Sequence, residues 1–205
     1  LKEFLPELYE CKGIPQPADY HHEGDVWDHT LRCIKNLRPE DGLDVRLAIL
    51  FHDCGKAETF SLKERIRFDH HASVSADLAT KALERMQCPA ERKKKIDWLV
   101  RHHMSMTFLE MPEERKGHWY FHPWFQELLQ VFYLDIAGTD PADYTLYENI
   151  VKDYHTYLDR RPRPERPLLS GHDVMELLGL EQGGEVGRIL KELNDAQAKG
   201  TITNK

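Results

Sequence analysis

From Asp25 to Leu158 nearly every segment repeats its apolar residues at helical spacing, and no alternating apolar/polar run marks a convincing strand. A chain with that pattern has to bury helix against helix, so the expected fold class is all-α. Asp25 is the expected N-cap of a first helix running to about Leu37, before Pro39. A second begins at Asp44, is apolar at Val45, Leu47, Ala48, Leu50 and Phe51, and ends in the turn Cys54-Gly55. A third spans about Ala72 to Met86, stopped before Pro89, and a fourth about Ala90 to His103. Met111 to His122 reads as a loop rich in proline and aromatic residues. Pro123 then opens a fifth helix reaching Ala137, and a sixth covers about Ala142 to Leu158.

Arg160-Arg161-Pro162-Arg163-Pro164-Glu165-Arg166-Pro167 cannot be helical and reads as a linker. Beyond it, Ser170 and Asp173 form a capping-box pattern at the start of a helix that ends at Gly179. A last helix covers about Gly184 to Lys199 and is closed by Gly200. The expected organisation is a helical body over 1–160 and a C-terminal helical hairpin over 161–205.

Charge and cysteine usage remove several classes. A formal net charge of -7 argues against a surface that grips nucleic acid all over. Arg92-Lys93-Lys94-Lys95 is basic locally and reads as a solvated helix face, with a phosphate-backbone contact as the alternative. No stretch approaches the ~18–20 apolar residues of a membrane span, so no membrane role is expected. The chain opens on Leu1-Lys2-Glu3, with no secretory-signal pattern and no methionine, as a portion of a longer protein would. Cys11, Cys33, Cys54 and Cys88 are too sparse for a disulfide scaffold. They read as small buried hydrophobes in a reducing, cytoplasmic setting.

The 12 histidines are the chemical signal, because imidazole is the commonest metal ligand. His52-Asp53 closes the apolar second helix, and His29 lies on the helix before it. Asp135 interrupts the apolar run Val131-Phe132-Tyr133-Leu134-Asp135-Ile136-Ala137, where a lone carboxylate is costly unless paired or metal-bound. His29, His52, Asp53 and Asp135 together make a set of two imidazoles and two carboxylates suited to a divalent ion. His70-His71 opens the third helix and His102-His103 closes the fourth. They suggest a second ion held by Asp53 as a bridge with His71, His102 and His103; one structural metal with spare histidines is the alternative. Paired ions about 3.5–4 Å apart are a common device of phosphoryl chemistry. Lys56 is the candidate point charge for a substrate phosphate, and Arg67 and Arg101 are weaker ones. His21, His22, His118, His122, His155 and His172 show no convergent pattern. Trp119, Tyr120, Phe121, Trp124 and Phe125 read as core packing, with a base-stacking platform as the alternative.

The order His29, His52-Asp53, Asp135 resembles the HD superfamily of metal-dependent phosphohydrolases, and His71 with His102-His103 resembles its two-metal members. Leu5-Pro6-Glu7-Leu8, Gly13-Ile14-Pro15-Gln16, His22-Glu23-Gly24-Asp25-Val26-Trp27-Asp28-His29-Thr30, Arg67-Phe68 and Trp98-Leu99-Val100-Arg101-His102-His103-Met104 are similar to the HD region of bacterial tRNA nucleotidyltransferases, the CCA-adding enzymes and their poly(A) polymerase relatives. Leu169-Ser170-Gly171-His172-Asp173 through Gly179 to Gly187-Arg188 resembles the segment that follows the HD region there. Two departures stand out. That family often has Gly before and Glu after the position of His71, where this chain has His70 and Ala72. No Gly-Ser turn followed by an Asp-x-Asp pair occurs in the 205 residues, so nucleotide addition would need a separate nucleotidyltransferase head.

The resemblance implies one or two divalent ions of Mn, Ni, Mg, Fe or Co type. It also implies hydrolysis of 2′,3′-cyclic phosphates or 2′-phosphomonoesters of nucleotides or RNA ends. The alternative is a non-catalytic RNA-binding body portion of a split or truncated tRNA nucleotidyltransferase. The Arg-rich linker and C-terminal hairpin favour some tRNA or RNA contact under either. A cyclic-dinucleotide phosphodiesterase of the Gly-Tyr-Pro subclass is weaker, since that tripeptide is missing.

Overall fold

The computed structural model describes residues 1–19, 21–104, 107–160, 168–198 and 201–202. They pack as two units, Leu1–Asp153 and Tyr154–Lys205. The fold is all-α. Helices α1 (Pro6–Tyr9), α2 (Val26–Lys35), α3 (Leu43–Phe51) and α4 (Lys56–Thr59) lead into a hairpin of β1 (Phe60–Leu62) and β2 (Ile66–Phe68). Then follow α5 (His71–Arg85), α6 (Ala90–His102), a single 3-10 turn (Phe108–Glu110), α7 (Glu113–Tyr120), α8 (Phe125–Gly138) and α9 (Thr145–Arg160). The chain ends with α10 (Gly171–Leu178) and α11 (Gly184–Ala198). Among the described residues no helix is long and apolar enough to cross a membrane.

Helix α3 is apolar around most of its circumference, and a helix of that kind belongs inside a bundle. Its Val45, Ala48, Ile49 and Phe51 are buried, and it packs against α2, α5, α6 and α8. The residues at its C-terminal end, His52 and Asp53, are therefore delivered to the middle of the first unit.

Two glycines set the distances that matter there. A Cβ on Gly55 would lie 2.5 Å from the Ser75 amide nitrogen and 2.6 Å from the His71 carbonyl, so the turn after Asp53 reaches α5 only because position 55 has no side chain. A Cβ on Gly138 would collide with Cys33 Sγ and sit 3.2 Å from the His29 carbonyl. Gly138 thus permits the close crossing of α2 and α8 that brings His29 beside Asp135.

Caps follow the residues expected to supply them. The Asp25 carboxylate accepts from the Asp28 amide at 2.8 Å and from the Gly13 amide at 2.6 Å, pinning the N-terminal segment to the start of α2. In the second unit Ser170 and Asp173 form a reciprocal capping box, and Gly179 closes α10 with φ +64°. Arg160, the first residue of the expected Pro/Arg linker, is instead the last of α9; the rest of that linker, 161–167, and Lys199 and Gly200 lie outside the described residues.

Three expectations need correction. The hairpin 60–68 is a strand pair, in register Phe60↔Phe68, Ser61↔Arg67 and Leu62↔Ile66; three residues per strand are too few for alternation to show. Within the expected loop 111–122, Glu113–Tyr120 is a helix. Glu113 and Glu114 suit its first turn, and the Lys116 ammonium lies 3.3 Å from Glu113 and 2.8 Å from Asp153. Helix α8 begins at Phe125 behind Trp124, so Pro123 precedes the cap rather than opening the first turn. The basic run on α6 is largely paired internally: Arg92 to Asp44 at 2.7 Å, Lys93 to Glu84 at 3.4 Å, and Lys95 to Glu127 at 2.7 Å. That leaves it a weak candidate for phosphate contacts. Of the cysteines, Cys88 is only half-buried.

His70 adopts φ +64° and caps α5 in the left-handed region, which favours glycine. A side chain there costs on the order of 1 kcal/mol. His70→Gly should therefore raise unfolding stability by about 0.5–1 kcal/mol in urea titration, and Gly55→Ala should lower it by more than that.

Candidate metal centre

The centre is assembled at one end of α3 from three helices and two turns. The Asp53 carboxylate, 3% exposed, lies at its middle. On the Oδ2 side, His52 Nε2 is 3.3 Å away and His29 Nε2 3.8 Å away. Asp135 Oδ1, from α8, is 2.9 Å from His29 Nε2 and 3.6 Å from His52 Nε2. On the Oδ1 side stand His71 Nε2 at 3.4 Å and His103 Nε2 at 3.8 Å. Two donor sets, one on each oxygen, share a single carboxylate.

The orientation of each ring has a cause. His52 Nδ1 bonds the Ile49 carbonyl at 2.7 Å, His71 Nδ1 the Phe68 carbonyl at 2.9 Å, and His103 Nδ1 the Val100 carbonyl at 2.6 Å. His29 Nδ1 meets the Glu23 carboxylate at 2.9 Å. A carbonyl or carboxylate can only accept, so Nδ1 carries the proton in each case. In a neutral ring Nε2 then offers a lone pair to the centre. His71 Nε2 and His103 Nε2 are buried with no hydrogen-bond partner among the described residues. Buried acceptors in that state are the condition a cation satisfies. The donors fall into groups able to hold an ion: His29, Cys33, His52 and Asp135; and Asp53, His71 and His103. Two ligands of one ion at about 2.0–2.1 Å lie roughly 3 Å or a little more apart, and the 3.3 Å between His29 Nε2 and His52 Nε2 fits.

Without an ion, protons take its place. Burial opposes charge on His29, but hydrogen bonds to Asp135, Cys33 and Glu23 push it up to about 12. Burial likewise opposes charge on His52, and Asp53 and Asp135 push it up to about 10. Burial works against the Asp53 carboxylate, yet Lys56 and His52 hold it well below its ordinary value. Hydrogen bonds from His29 and His52 do the same for Asp135. On the other side, burial and the His52 charge drive His103 down to about 4, and burial lowers His71. One half of the centre thus favours protonated imidazoles and the other neutral ones.

Several candidates are placed differently from expectation. His102 does not join Asp53: its ring packs 5.0 Å from Trp98 and 5.0 Å from Trp119. Successive helix residues are turned about 100° apart, so of the pair only His103 faces the bundle. Lys56 is buried, with Nζ 2.7 Å from Asp53 Oδ2 and 2.8 Å from Gln16 Oε1, and is not a free cation. Arg101 is bound by Asp97 and Asp77, and Arg67 is exposed on β2 opposite Ser61; neither lies among the ligand groups. The aromatic segment divides. Tyr120 and Phe125 are core, whereas Trp119 and Trp124 join Trp98, His102 and His122 in a half-buried cluster where Trp98 stacks on His122 at 3.9 Å.

Four residues escaped the sequence reading: Glu23, His21, Gln16 and Cys33, the last among the donors above. Glu23 bonds His21 Nδ1 at 2.6 Å as well as His29, and accepts from the Asp140 amide at 2.9 Å, so one buried carboxylate ties the α2 entry to the turn after α8. Burial opposes its charge, but the two histidines hold it down at about 2. His21 is accordingly part of the surroundings of the centre. Gln16 anchors Lys56. The residues of both acceptors stand in segments quoted for their family likeness, which was the available signal.

The arrangement defines a class: residues 20–154 match the HD domain, and the chain belongs to the HD domain family. It is 39% identical over 98% of its length to the CC-adding tRNA nucleotidyltransferase of Thermus thermophilus, and 33% identical over 97% to the A-adding tRNA nucleotidyltransferase of Deinococcus radiodurans. Half of it is 36% identical to a multifunctional CCA protein of an Azoarcus species. The chain spans about half the length of the first two relatives, 47% and 48%. It is thus a protein of the metal-dependent HD family whose HD region resembles that of tRNA nucleotidyltransferases.

Glu23→Ala should weaken affinity for the first ion about 10–100-fold, as loss of an outer partner of a ligating histidine does. His102→Ala should leave metal stoichiometry unchanged. Chelator competition measures both. An ion held by His29 and His52 would displace their protons near neutral pH, so its affinity should fall as pH drops. Calorimetry in buffers of different ionisation heat counts those protons; an affinity independent of pH between roughly 6 and 8 contradicts the protonation described.

Proposed function

We propose that this chain is a metal-dependent phosphohydrolase acting on 2′,3′-cyclic phosphates or 2′-phosphomonoesters of nucleotides or RNA ends. The observation that carries the reading is the pair of donor sets on opposite oxygens of Asp53, since phosphatases and nucleases commonly use two cations sharing a carboxylate. His29, His52, Asp53 and Asp135 would hold one divalent ion, and Asp53, His71 and His103 a second. Ions there would lower the pKa of water and take up charge on phosphate oxygens.

The chain's own residues supply the rest. The Nδ1 hydrogen bonds keep four rings aimed inward before any ligand arrives, so little reorganisation is left for the reaction. Lys56 holds the Asp53 carboxylate and places a positive charge beside it, and Gln16 holds Lys56. The burial of His29, His52, Asp53 and His103 keeps bulk water from screening the interaction with a phosphate. A net charge of -7 leaves attraction of the substrate to this local site, so small nucleotides should be accepted without a long RNA. Its relatives are named for tRNA, and an RNA 3′ end is the natural polymer substrate. A nucleotidyltransferase head would belong to another part of the protein or to a partner.

The test follows product release from 2′,3′-cyclic AMP and from a 2′-nucleotide with several divalent ions. Lys56→Ala should cut turnover about 10–100-fold while metal content is retained, because the ligand atoms remain. Hydrolysis of neither ester at full metal occupancy would replace this reading with the non-catalytic RNA-binding body portion.

A further inference from the structure

Cys33 lies one helical turn beyond His29 on α2, and residues four apart on a helix share a face. It is wholly buried, and its Sγ is 3.4 Å from His29 Nε2. The same sulfur belongs with His29, His52 and Asp135 to a group whose ligand atoms all lie within 4.8 Å of one another. Gly138 leaves open the space that Sγ occupies in the α2–α8 crossing.

Burial of a cysteine is by itself unremarkable, and the other two buried cysteines show the ordinary arrangement. Cys11 Sγ donates to the Glu7 carbonyl at 3.4 Å, and Cys54 Sγ to the Ser75 carbonyl at 3.6 Å. Burial pushes the Cys11 thiol up to about 12 and the Cys54 thiol well above its ordinary value, so both stay neutral. Cys33 differs in facing an imidazole nitrogen. Its thiol also donates to the Asp135 carbonyl at 3.9 Å, a longer contact than those of 3.4 and 3.6 Å made by Cys11 and Cys54. Ion–sulfur and ion–nitrogen bonds of about 2.3 and 2.0–2.1 Å, at an angle of about 90–110°, put the two ligand atoms about 3.1–3.6 Å apart. The observed 3.4 Å is an edge of that size.

We propose that Cys33 is a sulfur ligand of the ion held by His29, His52 and Asp135. The inference rests on the reading that this half of the centre binds a divalent ion, and adds a donor outside the imidazole and carboxylate set. On binding, the S–H bond breaks and its proton passes to solvent, while the sulfur lone pair forms the bond to the ion. The thiolate, Asp53 and Asp135 then face the divalent cation, with the Lys56 ammonium beside Asp53. A thiolate favours softer and borderline ions, of the zinc, cobalt, nickel or iron(II) kind, over magnesium or manganese.

The experiment uses the full chain, stripped with a chelator and reloaded with Co²⁺ alone. Wild-type protein should show sulfur-to-cobalt charge-transfer absorption that grows with the first equivalent. Cys33→Ser should keep the cobalt stoichiometry and lose the band, whereas Cys54→Ser should keep it. The preference for Zn²⁺ over Mn²⁺ should fall at least about tenfold in Cys33→Ser, measured by competition. X-ray absorption on the cobalt-loaded wild type requires no variant. Absence of sulfur from its first shell, survival of the band in Cys33→Ser, or failure to take up cobalt would each overturn the proposal. A sulfur band without hydrolysis of any phosphoester would remove the phosphohydrolase reading and leave Cys33 a ligand.

Discussion

A carboxylate buried at the heart of a helical bundle is the constraint around which this structure is arranged. Asp53 is 3% exposed, and an isolated charge in that position would cost far more than the few kcal/mol by which a domain is stable. The chain answers with Lys56 on one oxygen, histidines on both, and Asp135 beyond them. Each added charge needs its own partner, so the network spreads outward to Gln16 behind Lys56 and to Glu23 behind His29. Removing one member leaves its neighbour buried and unmatched, which is the more damaging kind of change in such a network.

The network in turn explains features that look like packing detail. Gly55 and Gly138 lie at no catalytic position, yet each allows a backbone approach without which a ligand would stand too far away. His70 accepts a left-handed backbone so that α5 can start with His71 directed at Asp53. Three histidines bond their Nδ1 atoms to main-chain carbonyls three residues earlier in sequence, at Ile49, Phe68 and Val100. Ile49 and Val100 lie in the last turn of a helix, where carbonyls are left without an intrahelical partner, and Phe68 ends β2. Helix and strand ends therefore orient these imidazoles.

Part of this was legible in advance because it breaks a local rule. Asp135 stands out in an apolar run, and His52-Asp53 at the end of an apolar helix, since burial makes a polar residue conspicuous. Most helices were visible through their period, and the Ser170–Asp173 box and Gly179 marked one of them at both ends. The hairpin 60–68 and helix α7 were missed. The strands are too short to show a period, and α7 sits among aromatic and proline residues that suggest a loop.

The sequence by itself determined that the chain is helical, that α3 is apolar, and that His29, His52, Asp53 and Asp135 are one candidate set around its end. Periodicity and the cost of buried charge are properties of composition and spacing, and need no coordinates. Tertiary structure alone decided which side chains face one another. His102 and His103 are equal as residues, and a turn of about 100° between neighbours sends one to the tryptophans and the other to Asp53. Glu23, Gln16 and Cys33 became part of the centre for the same reason: a contact across helices depends on crossing distance and rotation, which sequence spacing along one helix does not encode.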